Sequence, residues 1–184
     1  MPSSKKTTKE DIIKASFEIL KEQGIEKVTA RDLAKKLNSS VQPIFYQFKN
    51  MDDLKKELLK YSLEYYHEHI SKTNENNAKY KEIGKNYIKF AKEETNIFKF
   101  IFMGDYHIKI DNFREFDPSY KEIEQILEEK YKITKEEVRK FHLKMWMFTH
   151  GIACLIATRT CDFSDKEISK LLTEEFTALI KIYK

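Results

Sequence analysis

Two places in the second half of the chain repeat one local pattern, Thr134-x-x-Glu137 and Ser164-x-x-Glu167, and each opens a run of apolar residues at helical spacing. A hydroxyl that accepts from the amide three residues on, with a carboxylate reaching back to the hydroxyl residue's own amide, satisfies two donors that a helix start leaves orphaned. Thr7-Thr8-Lys9-Glu10 offers the same spacing from Thr7 to Glu10. Behind it Ile12, Ala15, Ile19 and Ile13, Phe17, Leu20 recur at the 3.6-residue period, and Gly24 supplies a stop. A chain punctuated in this way is committed to helices. Composition agrees, because 4 Gly and 3 Pro in 184 residues leave few tight turns on which a sheet could fold back. The expected fold class is all-α.

The period places helices at about 9–23 and, with Thr29 as N-cap, at about 30–37. Asn38-Ser39-Ser40 reads as a turn, followed by a short helix with Ser40 as N-cap and Pro43 at its third position, where a missing N–H costs nothing. Asn50 or Asp52 starts the next run, through Leu54, Leu58 and Tyr65 toward Ser71. Residues 73–77 read as a linker, 78–95 and 96–103 as helices, and 104–117 as irregular. Pro118 suits the first turn of a helix through 130. The last two segments, from Thr134 and Ser164, are apolar on more than one face, through Phe141, Trp146, Phe148 and Leu155 in one and Leu171, Phe176 and Ile180 in the other. Helices of that kind need more than one neighbour. A homodimer through the last two helices is expected, although 134–160 taken alone reads equally well as a core helix within one subunit.

Charge divides the chain. Residues 1–60 hold 13 Lys and Arg against 9 Asp and Glu, an excess of four, whereas the remainder holds 21 of each sign. The whole net charge of +4 therefore lies in the N-terminal third, as expected where that part meets a polyanion. No run of about 18 apolar residues exists, so no membrane span is expected. The N-terminus MPSSKKTTKEDIIK lacks the apolar core of a secretory signal. Cys154 and Cys161 have no metal-ligand partner pattern, and Cys154 in an apolar run reads as a small core residue, which suits a reducing cytoplasm.

Three short helices with a three-residue turn between the second and third have the anatomy of a helix-turn-helix. The second must pack through small and branched residues, here Leu33, Ala34 and Leu37, so that the third projects. The third must bury one narrow face, for which Ile44 and Phe48 suffice with Phe45 at the edge. Val41, Gln42, Pro43, Tyr46 and Gln47 then remain outside, where Gln can pair with adenine and apolar groups can meet thymine methyls, and Ser40 beside them is a further candidate for DNA contact. Thr29 and Lys49 are the candidates for phosphates, contacts that position a domain without specifying sequence, and Arg31 is a further candidate for DNA contact.

Residues 12–54 resemble the DNA-binding domain of TetR-family transcriptional regulators. The pattern I-x-x-A, G-(aromatic or aliphatic)-x-x-x-T-x-x-(I/L)-A, a turn, and L-Y-x-x-F-x-x-K-x-x-L is matched by Ile12, Ala15, Gly24, Ile25, Thr29, Leu33, Ala34, Ile44, Phe48 and Leu54. The family's phosphate-binding Tyr falls on Phe45, which has no hydroxyl, and its Lys falls on Met51. Tyr46, Lys49 and Asn50 are the candidates to compensate. Asn38 stands at the turn glycine and tolerates a left-handed conformation. The resemblance implies residues 1–51 as a DNA-binding domain, a connecting helix at about 52–71, and 72–184 as a ligand-binding and dimerisation domain. It implies a homodimeric, ligand-relieved repressor that reads a double-stranded operator, with no catalytic residues and no cofactor.

Met145-Trp146-Met147-Phe148-Thr149-His150-Gly151 is similar to the Trp-x-x-x-His-Gly pattern of one TetR-family C-terminal domain type. Trp146 and His150 share a stripe with His142 and Cys154. His150 is either a satisfied core histidine or the polar group that orients a small apolar effector in a hydrophobic pocket. Tyr87, Phe102, Met103 and Phe113 are the expected walls. Gly151 would permit close approach of a second helix. A metal site is not expected, since His67 and His69 diverge at i, i+2. Two rivals remain: a helical small-molecule-binding protein or enzyme that has lost DNA binding, and an interaction module that docks through 171–183.

Overall fold

The computed structural model describes residues 7–71, 79–104 and 120–183. They contain helices and no strand. In chain order these are α1 (Lys9–Gln23), a 3-10 turn (Ile25–Lys27), α2 (Ala30–Lys36), α3 (Gln42–Gln47), α4 (Met51–Ile70), α5 (Lys79–Glu93), α6 (Thr95–Phe102), α7 (Tyr120–Tyr131), α8 (Lys135–Ala157) and α9 (Asp165–Ile180). The expected linker at 73–77, all but Gly104 of the irregular stretch expected at 104–117, and Pro118 lie outside the described residues. Packing divides the chain into two compact units, Met1–Tyr65 with Glu94–Gly104, and Tyr66–Glu93 with Asp105–Lys184.

In the first unit α1 is the central post. It buries Ile12, Ile13, Ala15, Phe17, Ile19 and Leu20, together with Ser16, whose hydroxyl donates to the Ile12 carbonyl at 2.7 Å. Burial over so much of its circumference needs neighbours on several sides, and α2, α3 and α6 supply them. Phe17 also meets Tyr61 and Tyr65 of α4 edge-on, at 5.0 and 4.9 Å. The capping box that opens α1 is shifted by one from the expected Thr7–Glu10 pair. Thr8 accepts from the Asp11 amide, and Asp11 accepts from the Thr8 amide at 3.0 Å. Gly24 ends the helix at φ +88°, a conformation that glycine adopts without strain.

In the second unit α5 packs mainly along α8, while α7 and α9 lie against α8 as well. The boxes at Thr134 and Ser164 form as the spacing predicts. The core is Ile83, Ile88, Leu127, Phe141, Ile152 and Leu172, each buried. The outer side of α8 leaves Met147 and Leu155 exposed at i and i+8, with nothing among the described residues within 4 Å of a Cβ placed at Gly151 between them. Ile182 beyond α9 is 65% exposed. Of these three, Leu155 belongs to the apolar residues that the helical spacing marks, whereas Met147 and Ile182 do not.

Candidate functional site

The turn into α3 is built as its residues demand. Asn38 takes a left-handed φ of +48°, and the amide of Ser39 bonds back to the Ala34 carbonyl at 2.9 Å. Ser40 does not cap α3. The first helical acceptor is the Val41 carbonyl, which takes the Ile44 and Phe45 amides at 3.2 and 3.4 Å, so Val41 is the N-cap and Pro43 stands at the second position rather than the third. The proline is tolerated for the expected reason, because helix amides this early have no partner within the helix.

α3 buries Ile44 completely, and Phe48 is buried just past its end, beneath Lys9, whose ammonium lies 5.4 Å from the ring. Apart from the half-buried Pro43, the other residues of the helix face outward. Val41, Phe45 and Tyr46 are 41, 47 and 80% exposed, and Gln42 and Gln47 are exposed beside them. Phe45 therefore lies on the surface rather than at the edge of the core. Ser40, Thr29, Arg31 and Lys49 are also exposed, and Pro43 is half-buried. Two of the candidate phosphate ligands are already engaged. The Thr29 hydroxyl caps α2, accepting from the Asp32 amide at 3.1 Å and donating to the Asp32 carboxylate at 2.7 Å. Asn50 caps α4 through its Oδ1, which accepts from the Asp53 amide at 2.9 Å, while the Asp53 carboxylate takes the Lys49 amide. The Lys49 ammonium and the Tyr46 hydroxyl carry no such commitment among the described residues.

The same unit holds a polar cluster that the sequence did not suggest. Lys21, near the end of α1, donates to Glu94 at 2.7 Å and to the Tyr65 hydroxyl at 2.9 Å, and Tyr65 donates to Glu94 at 2.7 Å. Asn96 donates to the Lys21 carbonyl at 3.0 Å, satisfying one of the orphan acceptors at that helix end. Glu94, then Tyr65, raise the Lys21 pKa above its ordinary range.

The second unit encloses a cavity of about 400 Å³, within the size range of small-molecule sites. An aromatic wall surrounds Phe176, whose ring lies 5.5, 5.4 and 5.1 Å from those of Tyr80, Tyr131 and Phe141. α8 contributes His142, Met145, Trp146 and Thr149. Of the expected ligand-facing residues, Tyr87 and Trp146 line this cavity. His150 sits behind them, stacked on Trp146 with centroids 4.6 Å apart. Phe102 and Met103 belong to the other compact unit and do not line the cavity, and Phe113 lies outside the described residues. Nothing local in the sequence marks Tyr80, Tyr131 and Phe176 as cavity residues, because three different helices bring them together.

His150 is held at both ring nitrogens, with Nδ1 2.8 Å from the Tyr87 hydroxyl and Nε2 3.3 Å from Cys154 Sγ. Burial lowers the His150 pKa and raises that of the Cys154 thiol, so both are uncharged near neutral pH. A neutral imidazole donates through one nitrogen and accepts at the other, so the hydroxyl and the thiol take opposite roles. The histidine thus reads as a satisfied group that fixes Trp146 and Tyr87, two cavity walls, in place. Among the described residues no group of three or more His, Cys, Asp or Glu could hold a metal ion, and no helix is long and apolar enough to cross a membrane.

Against known proteins, the family model described as bacterial regulatory proteins, tetR family, matches residues 12–58. No curated protein matches the sequence. Among solved structures, a TetR-family transcriptional regulator from Haemophilus influenzae aligns with a TM-score of 0.62 at 13% identity, over 92% of this chain and 94% of that one. BioQ, crystallised with its double-stranded DNA operator, aligns at 0.59 and 14%, over 94 and 98%. ActR from Streptomyces coelicolor, crystallised in complex with (S)-DNPA, aligns at 0.58 and 13%, over 97 and 99%. At these identities the likeness is one of fold.

Proposed function

Because residues 12–58 make this chain a member of the tetR family of bacterial regulatory proteins, we propose that this DNA-binding transcriptional regulator is a homodimeric repressor, released from its operator when a small molecule fills the cavity behind Trp146. One observation carries the reading. Val41, Phe45 and Tyr46 stand exposed together on a helix whose opposite side is anchored by Ile44 and Phe48. Clustered apolar groups of that size on a surface mark a contact site, and on a short projecting helix they suit base edges and thymine methyls in a major groove. Gln42 adds a bidentate group for adenine, and Lys49 and Arg31 add charge for phosphates.

In this reading residues 1–51 form the DNA-binding domain, and 72–184 bind the effector and pair the subunits. The dimer is formed through α8 and α9; Met147 and Leu155 of α8, and Ile182 just beyond α9, are left uncovered in one chain. Two recognition helices about 34 Å apart would then read a pseudo-palindromic site. An effector shifts this equilibrium only if it binds the operator-competent and incompetent states with different affinity. The chain order suits such a coupling: α5, which lines the cavity, ends at Glu93, and the next residue is the Glu94 that binds Lys21 and Tyr65. The protein acts in the cytoplasm and is not an enzyme.

Titration with duplex DNA at two salt concentrations tests the reading. Displacement of counterions from several phosphates makes the affinity fall steeply with salt. Weak binding without that dependence would favour a helical small-molecule-binding protein or enzyme that has lost its operator.

A further inference from the structure

The cavity has an uneven chemistry that the reading above does not use. Its inner surface is aromatic and aliphatic, but Lys79, Lys81 and Lys130 also line it, and no Asp or Glu does so among the described residues. Lys79 and Lys81 occupy the first turn of α5, where the helix dipole adds positive potential. Glu82 in that turn is occupied by Lys85, at 3.0 Å. Lys81 forms no ion pair among the described residues, and the Lys130 ammonium lies 5.8 Å from the Tyr131 ring centroid rather than on a carboxylate.

A neutral occupant would give the Lys81 and Lys130 ammonium groups no counter-charge, and a cationic one would be repelled. Two other polar groups of the lining are already engaged: the Thr149 hydroxyl donates to the Met145 carbonyl at 2.8 Å, and Tyr80 is hydrogen-bonded to His142 Nδ1 at 3.2 Å. The apolar part of a ligand therefore belongs against the aromatic and aliphatic lining, and its polar end at the lysines. Resting on the reading of this cavity as the effector site, we propose that it takes a compact organic acid, an apolar ring body carrying one anionic group that Lys81 and Lys130 bind. Lysine supplies a point charge rather than a planar fork, so the anion needs charge and position but no bidentate geometry.

Matched pairs test this: adamantane-, naphthalene- and biphenyl-acetates, each against its primary amide, titrated calorimetrically into the full-length protein. Trp146 is the single tryptophan and lines the cavity, so its fluorescence reports whether the non-absorbing adamantane pair enters there. The acid should bind at least about tenfold more tightly than its amide wherever a scaffold binds, as a charge-assisted contact requires. In the Lys81→Gln, Lys130→Gln double variant the pair should converge to within about twofold, with the amide unchanged. Equal or tighter binding of the amides overturns the proposal, as does a preference that survives in the double variant. So does absence of binding by every acid to protein that is folded and binds DNA. A final arm keeps the two readings apart. If the acids bind with the expected preference and leave operator affinity unchanged, ligand relief fails and the anion site stands.

Discussion

Replacing Tyr46 with Phe removes one oxygen atom from a side chain that is 80% exposed, so its effect on folding should be small and its effect on DNA binding readable. The resemblance to the TetR pattern puts Phe45 where that pattern carries a tyrosine, and Tyr46 is the neighbouring hydroxyl on the exposed side of α3. A hydroxyl that donates to a phosphate makes a charge-assisted hydrogen bond, whose loss costs about 1.5 kcal/mol at the low end. A symmetric dimer loses two, about 3 kcal/mol, or roughly 150-fold in Kd. Because tyrosine carries no charge, the slope of log K against log salt should stay as it was, whereas Lys49→Gln should reduce its magnitude by about 1.8 for a dimer. Fluorescence anisotropy with a labelled operator at four salt concentrations measures both quantities. Operator affinity within twofold of the parent protein would refute the role given to Tyr46. A changed slope in the Tyr46 variant would refute the argument that the contact is a neutral donor.

Gly84→Ala should stabilise the protein by about 0.5–1 kcal/mol, since alanine favours the interior of α5 and its Cβ would meet Leu172 at an ordinary 3.4 Å; the urea midpoint measures it. Gly151→Leu should leave the subunit folded, because nothing lies within 4 Å of a Cβ there, but should weaken the dimer in sedimentation equilibrium if α8 meets its partner at that glycine. His150 has a lowered pKa in the folded protein, so the folded state binds fewer protons than the unfolded one; its contribution is complete above about pH 6.5 and is lost as pH falls through that value toward the folded pKa. The difference in unfolding free energy between the parent protein and His150→Gln should accordingly shrink from pH 7.5 to pH 5, and a difference independent of pH would show that burial does not control this imidazole.

What the sequence reveals here tracks how local its cause is. The boxes at Thr134 and Ser164 are self-contained four-residue devices, and they form as spaced. The first box slips by one because Thr7 and Thr8 are both hydroxyl residues, and Glu10 and Asp11 both carboxylates, so two registers satisfy the same rule and the fold uses the second. At α3 a similar local rule favours Ser40, but backbone acceptors decide, and Val41 becomes the cap. Asn38, by contrast, adopts the left-handed conformation its side chain tolerates. Apolar runs identify helices without saying what they pack against. α6 reads simply as a very apolar helix, yet it joins α1 in the first unit, carrying Phe102 with it. The cavity is the least legible part. Trp146 and Tyr87 could be picked as aromatics on helices, whereas Phe176, Tyr131 and the lysines become a site only when α5, α7 and α9 converge on α8.

Selection of bound sequences from a random duplex pool tests the central claim most directly, because it reads DNA binding, dimer symmetry and half-site spacing together. The account predicts enrichment of an inverted repeat whose half-site centres lie about one helical turn apart, lost when Val41, Gln42 and Tyr46 are replaced together by alanine. Absence of enrichment, or enrichment that survives that triple replacement, would contradict it.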